Sequence, residues 1–293
     1  MQVILHAGVH CTDDDRLLKC LLRNAEAWRH EGVAIPGPSK YRALLTESLN
    51  KLRGGIPNPD AREILLDAIL QEDPGQVSRL VLSNDNFFSV PKLMFQGGHV
   101  YQRAETRLQT FAGIFAADRI EVFMGLRDPA SFLPAAFAAT PHTDFGVFME
   151  GVNPMHFRWS DLVRRMRQAL PEVPFTLWCN EDTPLLWGQI IREMAGIALT
   201  RKITGAFDLY AQIISREGMV RFRAFLKENP TITEGQKRRV MMAFLDKYAI
   251  DEEIEQELDL PGWDGAYVDM LTELYEEDLE TIAAIPGVRL LTP

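Results

Sequence analysis

Val3-Ile4-Leu5-His6-Ala7-Gly8-Val9-His10-Cys11-Thr12-Asp13-Asp14-Asp15-Arg16 is the stretch on which the fold turns. Its apolar opening reads as a buried first strand, and the residues after it read as a loop. An amphipathic helix follows, with Leu17, Leu18, Leu21, Leu22, Ala25 and Trp28 repeating at i, i+1, i+4 and i+5. In open parallel sheets the first strand–loop–helix turn is a common phosphate site. Backbone N–H groups and the positive end of the helix point there at an anion. The Walker pattern GxxxxGK[ST] is absent, which argues against a standard ATPase or GTPase.

Outward from this turn the same alternation continues. Gly32 reads as the stop of the first helix, and Val33-Ala34-Ile35-Pro36 as a second extended piece. Strand-like runs follow at 79–82, 120–126 and 174–179, and helical patterns at 61–70, 105–115 and 185–195. Uniformly apolar strands between helices predict a parallel sheet covered on both faces. Beyond residue 200 the pattern is mostly helical. Thr233 to Gln236 forms a capping-box sequence ahead of a face carrying Val240, Met241, Phe244, Leu245 and Tyr248. A last helix carries Tyr267, Met270, Leu271, Leu274, Tyr275 and Ile282. No repeat or low-complexity linker interrupts the chain. One domain over 1–293 is expected, an α/β core over 1–200 with a helical extension over 201–293 packed on it.

The chain has 293 residues, 46% hydrophobic and 25% charged, which suits a globular protein. Its apolar runs fall short of the ~20 residues of a membrane span. The amino terminus lacks a signal-peptide pattern, and Cys11, Cys20 and Cys179 have no CxxC spacing. A cytoplasmic protein without membrane or nucleic-acid partners is expected, its oligomeric state unspecified. The net charge of -10 is concentrated: residues 251–280 hold thirteen acids and no Lys or Arg, leaving 28 acids against 31 bases elsewhere. That stretch reads as a solvated helix face.

The opening segment resembles a bacterial branch of the PAPS-dependent (P-loop) sulfotransferase family, whose members begin with a strand and then His-x-Gly-x-His-Lys-Thr-Gly-Thr-Thr. His6, Gly8, His10 and Thr12 match. Cys11 stands where the family has Lys, Asp13 where it has Gly, and Asp14 and Asp15 where it has Thr-Thr. The resemblance implies a P-loop NTPase-like three-layer sandwich. It also implies a PAPS site at His6, Gly8, His10, Thr12 and Arg16; Arg16 is the candidate to replace the missing Lys, although its place in the helix is expected to point it elsewhere. One carboxylate about 4 Å from a phosphate charge, at an effective dielectric near 20, costs about 4 kcal/mol. The helix dipole contributes only about 0.3–1 kcal/mol. The acids also suit the helix start on their own account, Thr12 or Asp13 as cap.

A second anchor is Arg127-Asp128-Pro129 after the strand at 120–126. It resembles the family's Arg-x-Pro element for the donor's 3′-phosphate, which has a Ser eight residues beyond the Arg; here that position is Ala135, and Ser131 lies four on. A guanidinium fork suits a phosphate, and it equally suits capping a strand end or pairing with an acid. Asp85, after Leu80 to Asn84, occupies roughly the place of the family's acidic residue and is a candidate general base for an acceptor hydroxyl. His99, after Gly97-Gly98, competes for that role or is a plain loop residue. Phe175 to Pro184, and Tyr275, Asp278 and Ile282 before Pro286-Gly287-Val288, are similar to later parts of the same branch.

Three readings stay open. The chain is a sulfotransferase-like protein, with PAPS as cofactor and a small-molecule or glycan acceptor if its turn still binds the donor. Alternatively it is a non-catalytic binding or scaffold protein on that fold. In the third reading it is a metal-dependent, nucleotide-using transferase with Asp13 to Asp15 as ligands.

Overall fold

The computed structural model describes residues 1–71, 73–254 and 260–293. Residues 255–259 of the acidic stretch therefore lie outside the described residues. Six strands form one sheet: β1 (Gln2–His6), β2 (Val33–Ala34), β3 (Arg79–Ser83), β4 (Arg119–Leu126), β5 (Phe175–Cys179) and β6 (Val288–Leu291). Their order is β2-β3-β1-β4-β5-β6, and every pairing is parallel. Eight helices connect the first five strands and leave the fifth: α1 (Arg16–Arg29), α2 (Pro38–Leu52), α3 (Ala61–Ile69), α4 (Ala104–Ile114), α5 (Pro129–Ala138), α6 (Phe145–Met149), α7 (Trp159–Ala169) and α8 (Thr183–Ala195). Then come α9 (Tyr210–Ile213), α10 (Arg216–Glu228), α11 (Glu234–Tyr248), α12 (Asp251–Ile254) and α13 (Gly265–Ala283).

The strands are buried on both sides because side chains alternate between two cores. Val3 and Leu5 of β1 join the core filled by α2, α3, α4, α5, α7 and α13. Ile4 joins the opposite core, under α1 and α8, with Val81, Phe123 and Trp178. The expected three layers are present. A small third cluster around Tyr210, Phe222 and Met241 holds α9, α10 and α11 together. The capping box at Thr233 and Gln236 forms as its sequence predicts.

One element escapes the sequence pattern. The chain is helical through Ala283, then returns to the sheet as β6, paired with β5 from Phe175↔Val288 to Trp178↔Leu291. Its four residues, Val-Arg-Leu-Leu, form an edge strand with only Leu291 buried, so no apolar run announces it. α13 also binds the core through polar groups. Buried Asp278 accepts the Ser160 N–H at 3.0 Å in the first turn of α7, and Tyr275 Oη donates to Leu126 O at 3.4 Å. The exposed Glu273, Glu276, Glu277 and Glu280 make the solvated face the composition predicts. No helix among the described residues is long and apolar enough to cross a membrane.

The strand order sets the position of the site. From β1 the chain moves out to β2, returns to β3 on one side of β1, then crosses to β4 on the other. The crevice beyond the carboxyl ends of β1, β3 and β4 is the switch point at which such sheets bind ligands.

Candidate functional site

The β1–α1 turn leaves the sheet late. Ala7 N–H donates to Phe123 O at 3.0 Å, Gly125 N–H to Gly8 O at 2.9 Å and Val9 N–H to Gly125 O at 3.1 Å. Gly8 has φ 96°, and a Cβ there would lie 3.3 Å from Asp85 O and from His10 N. Only glycine lets the β3 loop come this close, and that approach brings Asp85 beside the turn. Beyond Val9 the chain is held from two directions: Arg127 Nη1 donates to Cys11 O, and His10 N–H donates to Tyr101 Oη at 3.3 Å. Cys11, Asp14 and Asp15 take φ of 57°, 48° and 62°, the left-handed region that costs a non-glycine residue about 1–2 kcal/mol.

The acids of the turn have definite partners. Asp13 is buried, and its Oδ2 accepts the Leu17 N–H at 2.9 Å inside the first turn of α1. Asp15 holds the N-cap position without capping, and instead binds Arg42 of α2 through both oxygens. Hydrogen bonds from Arg42 hold the Asp15 carboxyl below the usual carboxylate range, against the opposing effect of burial. Arg42 also donates Nε to Ser83 O at 2.9 Å, and its Nη1 lies 3.8 Å from Asp85 Oδ1. Thr12 does not cap α1, because its hydroxyl donates to Val9 O at 2.7 Å. The N–H groups of Cys11, Asp13, Asp14 and Asp15 meet no protein acceptor among the described residues.

His6 and His10 are both buried. His6 Nδ1 meets Ser83 Oγ at 2.9 Å, its ring stacks on Trp178 at 5.9 Å, and its Nε2 has no partner among the described residues. Burial pushes its pKa down, with Asp13 and Asp85 opposing. His10 Nδ1 meets Tyr101 Oη at 2.8 Å and its Nε2 meets Asn86 Oδ1 at 3.3 Å. With Tyr101 Oη accepting the His10 backbone N–H and donating to Nδ1, His10 carries its proton on Nε2. Burial lowers this pKa too, with the Asn86 bond opposing. Asp85 Oδ1 accepts from Asn86 N and Nδ2, both at 3.0 Å. A chain Asp85–Asn86–His10–Tyr101 therefore runs beside the turn.

The fold thus gathers His6, Gly8, His10, Thr12, Asp85, Arg127 and Ser131, the last accepting from Arg127 Nε at 3.0 Å. Two candidates point elsewhere. Arg16 Nη1 donates to Gln212 Oε1 at 3.0 Å on the exposed side of α1. As the first residue of α1 it lies beside the loop, but its side chain is directed outward to Gln212 of α9 rather than into the turn. His99 lies in an exposed turn, and no hydrogen bond, ion pair or ring contact ties it to the site among the described residues. Arg42, Asn86 and Tyr101 form part of the site without any sequence motif, and Arg42 lies in α2, a helix outside the helical patterns read from the sequence. Among the described residues no three His, Cys, Asp or Glu side chains gather as metal ligands. The adjacent groove, about 840 Å³, is lined by Arg42, Asn50, Arg53, Asn84 and Asn86 among others.

No family model, curated protein or solved structure matches the chain.

Proposed function

We propose that this chain is a sulfotransferase-like protein on a P-loop NTPase-like fold whose phosphate turn carries its own anion, so that PAPS-dependent sulfuryl transfer is lost and a binding or scaffold role remains. One observation carries the reading: the Asp13 carboxylate accepts the Leu17 N–H at 2.9 Å, at the helix start where a donor's phosphate would lie. Asp14, Asp15 and Asp85 surround the same turn, and the one nearby α2 cation, Arg42, is already bound to Asp15. Each carboxylate facing a phosphate at about 4 Å opposes it by about 4 kcal/mol at an effective dielectric near 20. Arg127 and Ser131 support the kinship in geometry. Arg127, however, is engaged with the turn itself through Cys11 O, and Ser131 with Arg127.

Retained sulfuryl transfer to a small-molecule or glycan acceptor is the second reading. The unpaired N–H groups of the turn and the buried, unpartnered His6 Nε2 favour it. The metal-dependent reading draws no support from Asp13 and Asp15, which are turned to Leu17 and Arg42.

Melting temperature with PAP, PAPS and Mn²⁺ separates these readings, since a ligand that binds only the native state raises it by mass action. The proposal expects no response from the wild type and a nucleotide response from the Cys11→Lys, Asp13→Gly, Asp14→Thr, Asp15→Thr variant. A saturable rise of the wild type with PAPS overturns it, and a rise that needs Mn²⁺ restores the metal reading.

A further inference from the structure

A second concave site lies where the end of α2 meets the start of α4. It is a cavity of about 570 Å³ lined by Leu49, Asn50, Arg53, Arg103, Thr106 and Arg107, with no Asp or Glu among the described residues of its wall. A Cβ on Gly54 would lie 3.0 Å from Thr106 Cγ2, so the two helix ends are pressed together. Arg103 and Arg107 stand four residues apart and share one face of α4. Arg107 is 8% exposed, donating Nη1 to Phe87 O and Nη2 to Asn50 Oδ1, each at 2.7 Å. Both acceptors are neutral, so no counter-charge meets it among the described residues, and a buried cation without one is costly. Two acids on the same helices are committed elsewhere: Glu105 to Arg165 at 3.3 Å and Glu47 to Lys51 at 2.7 Å. Among the described residues neither Arg53, Arg103 nor Arg107 makes an ion pair, although all three line one cavity.

We propose that this cavity is an oxyanion-binding site, in which Arg53, Arg103 and Arg107 hold a sulfate, phosphate or carboxylate group of an acidic ligand. Converging guanidinium groups repel one another until an anion sits among them, and their planar forks match oxyanion geometry. Burial, with the neighbouring Arg103, pulls the Arg107 pKa down, as an unbalanced charge requires. The Asn50 side chain, its oxygen bonded to Arg107, keeps amide donors for the same ligand. The larger groove shares Asn50 and Arg53, reaches Arg42, Asn84 and Asn86, and carries Glu47 already paired with Lys51, giving room for the rest of the ligand. None of this depends on whether the β1–α1 turn holds a nucleotide.

The test is calorimetric titration and thermal melting with sodium sulfate, phosphate and acetate against sodium chloride at equal ionic strength. Wild type is compared with Arg53→Gln, Arg103→Gln and the double variant; both positions are exposed. Saturable binding of sulfate or phosphate, weakened at least about tenfold by each substitution, is the expected result, as befits loss of a charge-assisted hydrogen bond. Acetate binding alone, weakened in the same way, assigns the site to carboxylates. In chloride, Arg103→Gln should melt no lower than wild type, because it relieves repulsion. An equal response to chloride, undiminished binding by the double variant, or a destabilised Arg103→Gln overturns the proposal.

Discussion

Replacing Asp13 separates a carboxylate that builds the turn from one that merely borders it. Asp13→Ala removes the acceptor of the Leu17 N–H, bonded at 2.9 Å, from a position 7% exposed. Loss of a helix-start acceptor costs about 0.5–2 kcal/mol. Burial puts this case in the upper half, because water cannot readily take over the N–H. At about 2–4 °C per kcal/mol for a chain of comparable size, the melting temperature should fall by about 2–8 °C. Asp13→Asn keeps an oxygen acceptor and removes only the charge, so it should lose less than half as much. Calorimetry and denaturant unfolding measure both, and PAP titration of the same variants reads the electrostatic half of the reasoning. The alanine variant should gain nucleotide affinity, since one opposing carboxylate is gone. Asp13→Ala melting within about 1 °C of wild type, with nucleotide binding unchanged, would refute the view that this residue fills the anion position.

The pH dependence follows from the two buried histidines. His6 and His10 both titrate below 6.5 when folded, so the unfolded chain binds more protons and stability falls as pH drops below 6.5. The slope should approach about 1.4 kcal/mol per pH unit for each histidine that stays neutral in the folded state; a flat melting curve between pH 7 and 5 contradicts it. Gly8→Ala, at φ 96° with a Cβ 3.3 Å from Asp85 O, should cost about 1–3 kcal/mol in denaturant unfolding. Asp278→Ala strips the buried Ser160 N–H of its 3.0 Å acceptor and should cost about 1–3 kcal/mol, whereas Asp278→Asn should retain most of the stability.

Much of the architecture was legible in the sequence because it rests on local patterns. Apolar runs such as 120–126, short and bounded by turn residues, read as strands buried on both faces, and the spacing of Leu17 to Trp28 as a helix lying on them. The capping box at Thr233 is equally local. β6 was not legible, since Val288–Leu291 becomes a strand only by pairing with β5, across more than a hundred residues of chain. The site divides along the same line. His6, Gly8, Asp85 and Arg127 were singled out by the family resemblance and by standing at or just beyond the carboxyl ends of β1, β3 and β4, where parallel sheets bind ligands. Arg42 and Tyr101 have no pattern of their own, being brought to the turn by the docking of α2 and by the loop before α4.

The sequence by itself determined the strand-and-helix alternation, the parallel sheet and the acidic character of the first turn, because side-chain period and charge are properties of neighbours along the chain. Only the tertiary structure decided which way the acids face. Asp13 turns back to its own helix and Asp15 turns across to Arg42, a choice set by distances between elements that no local spacing encodes.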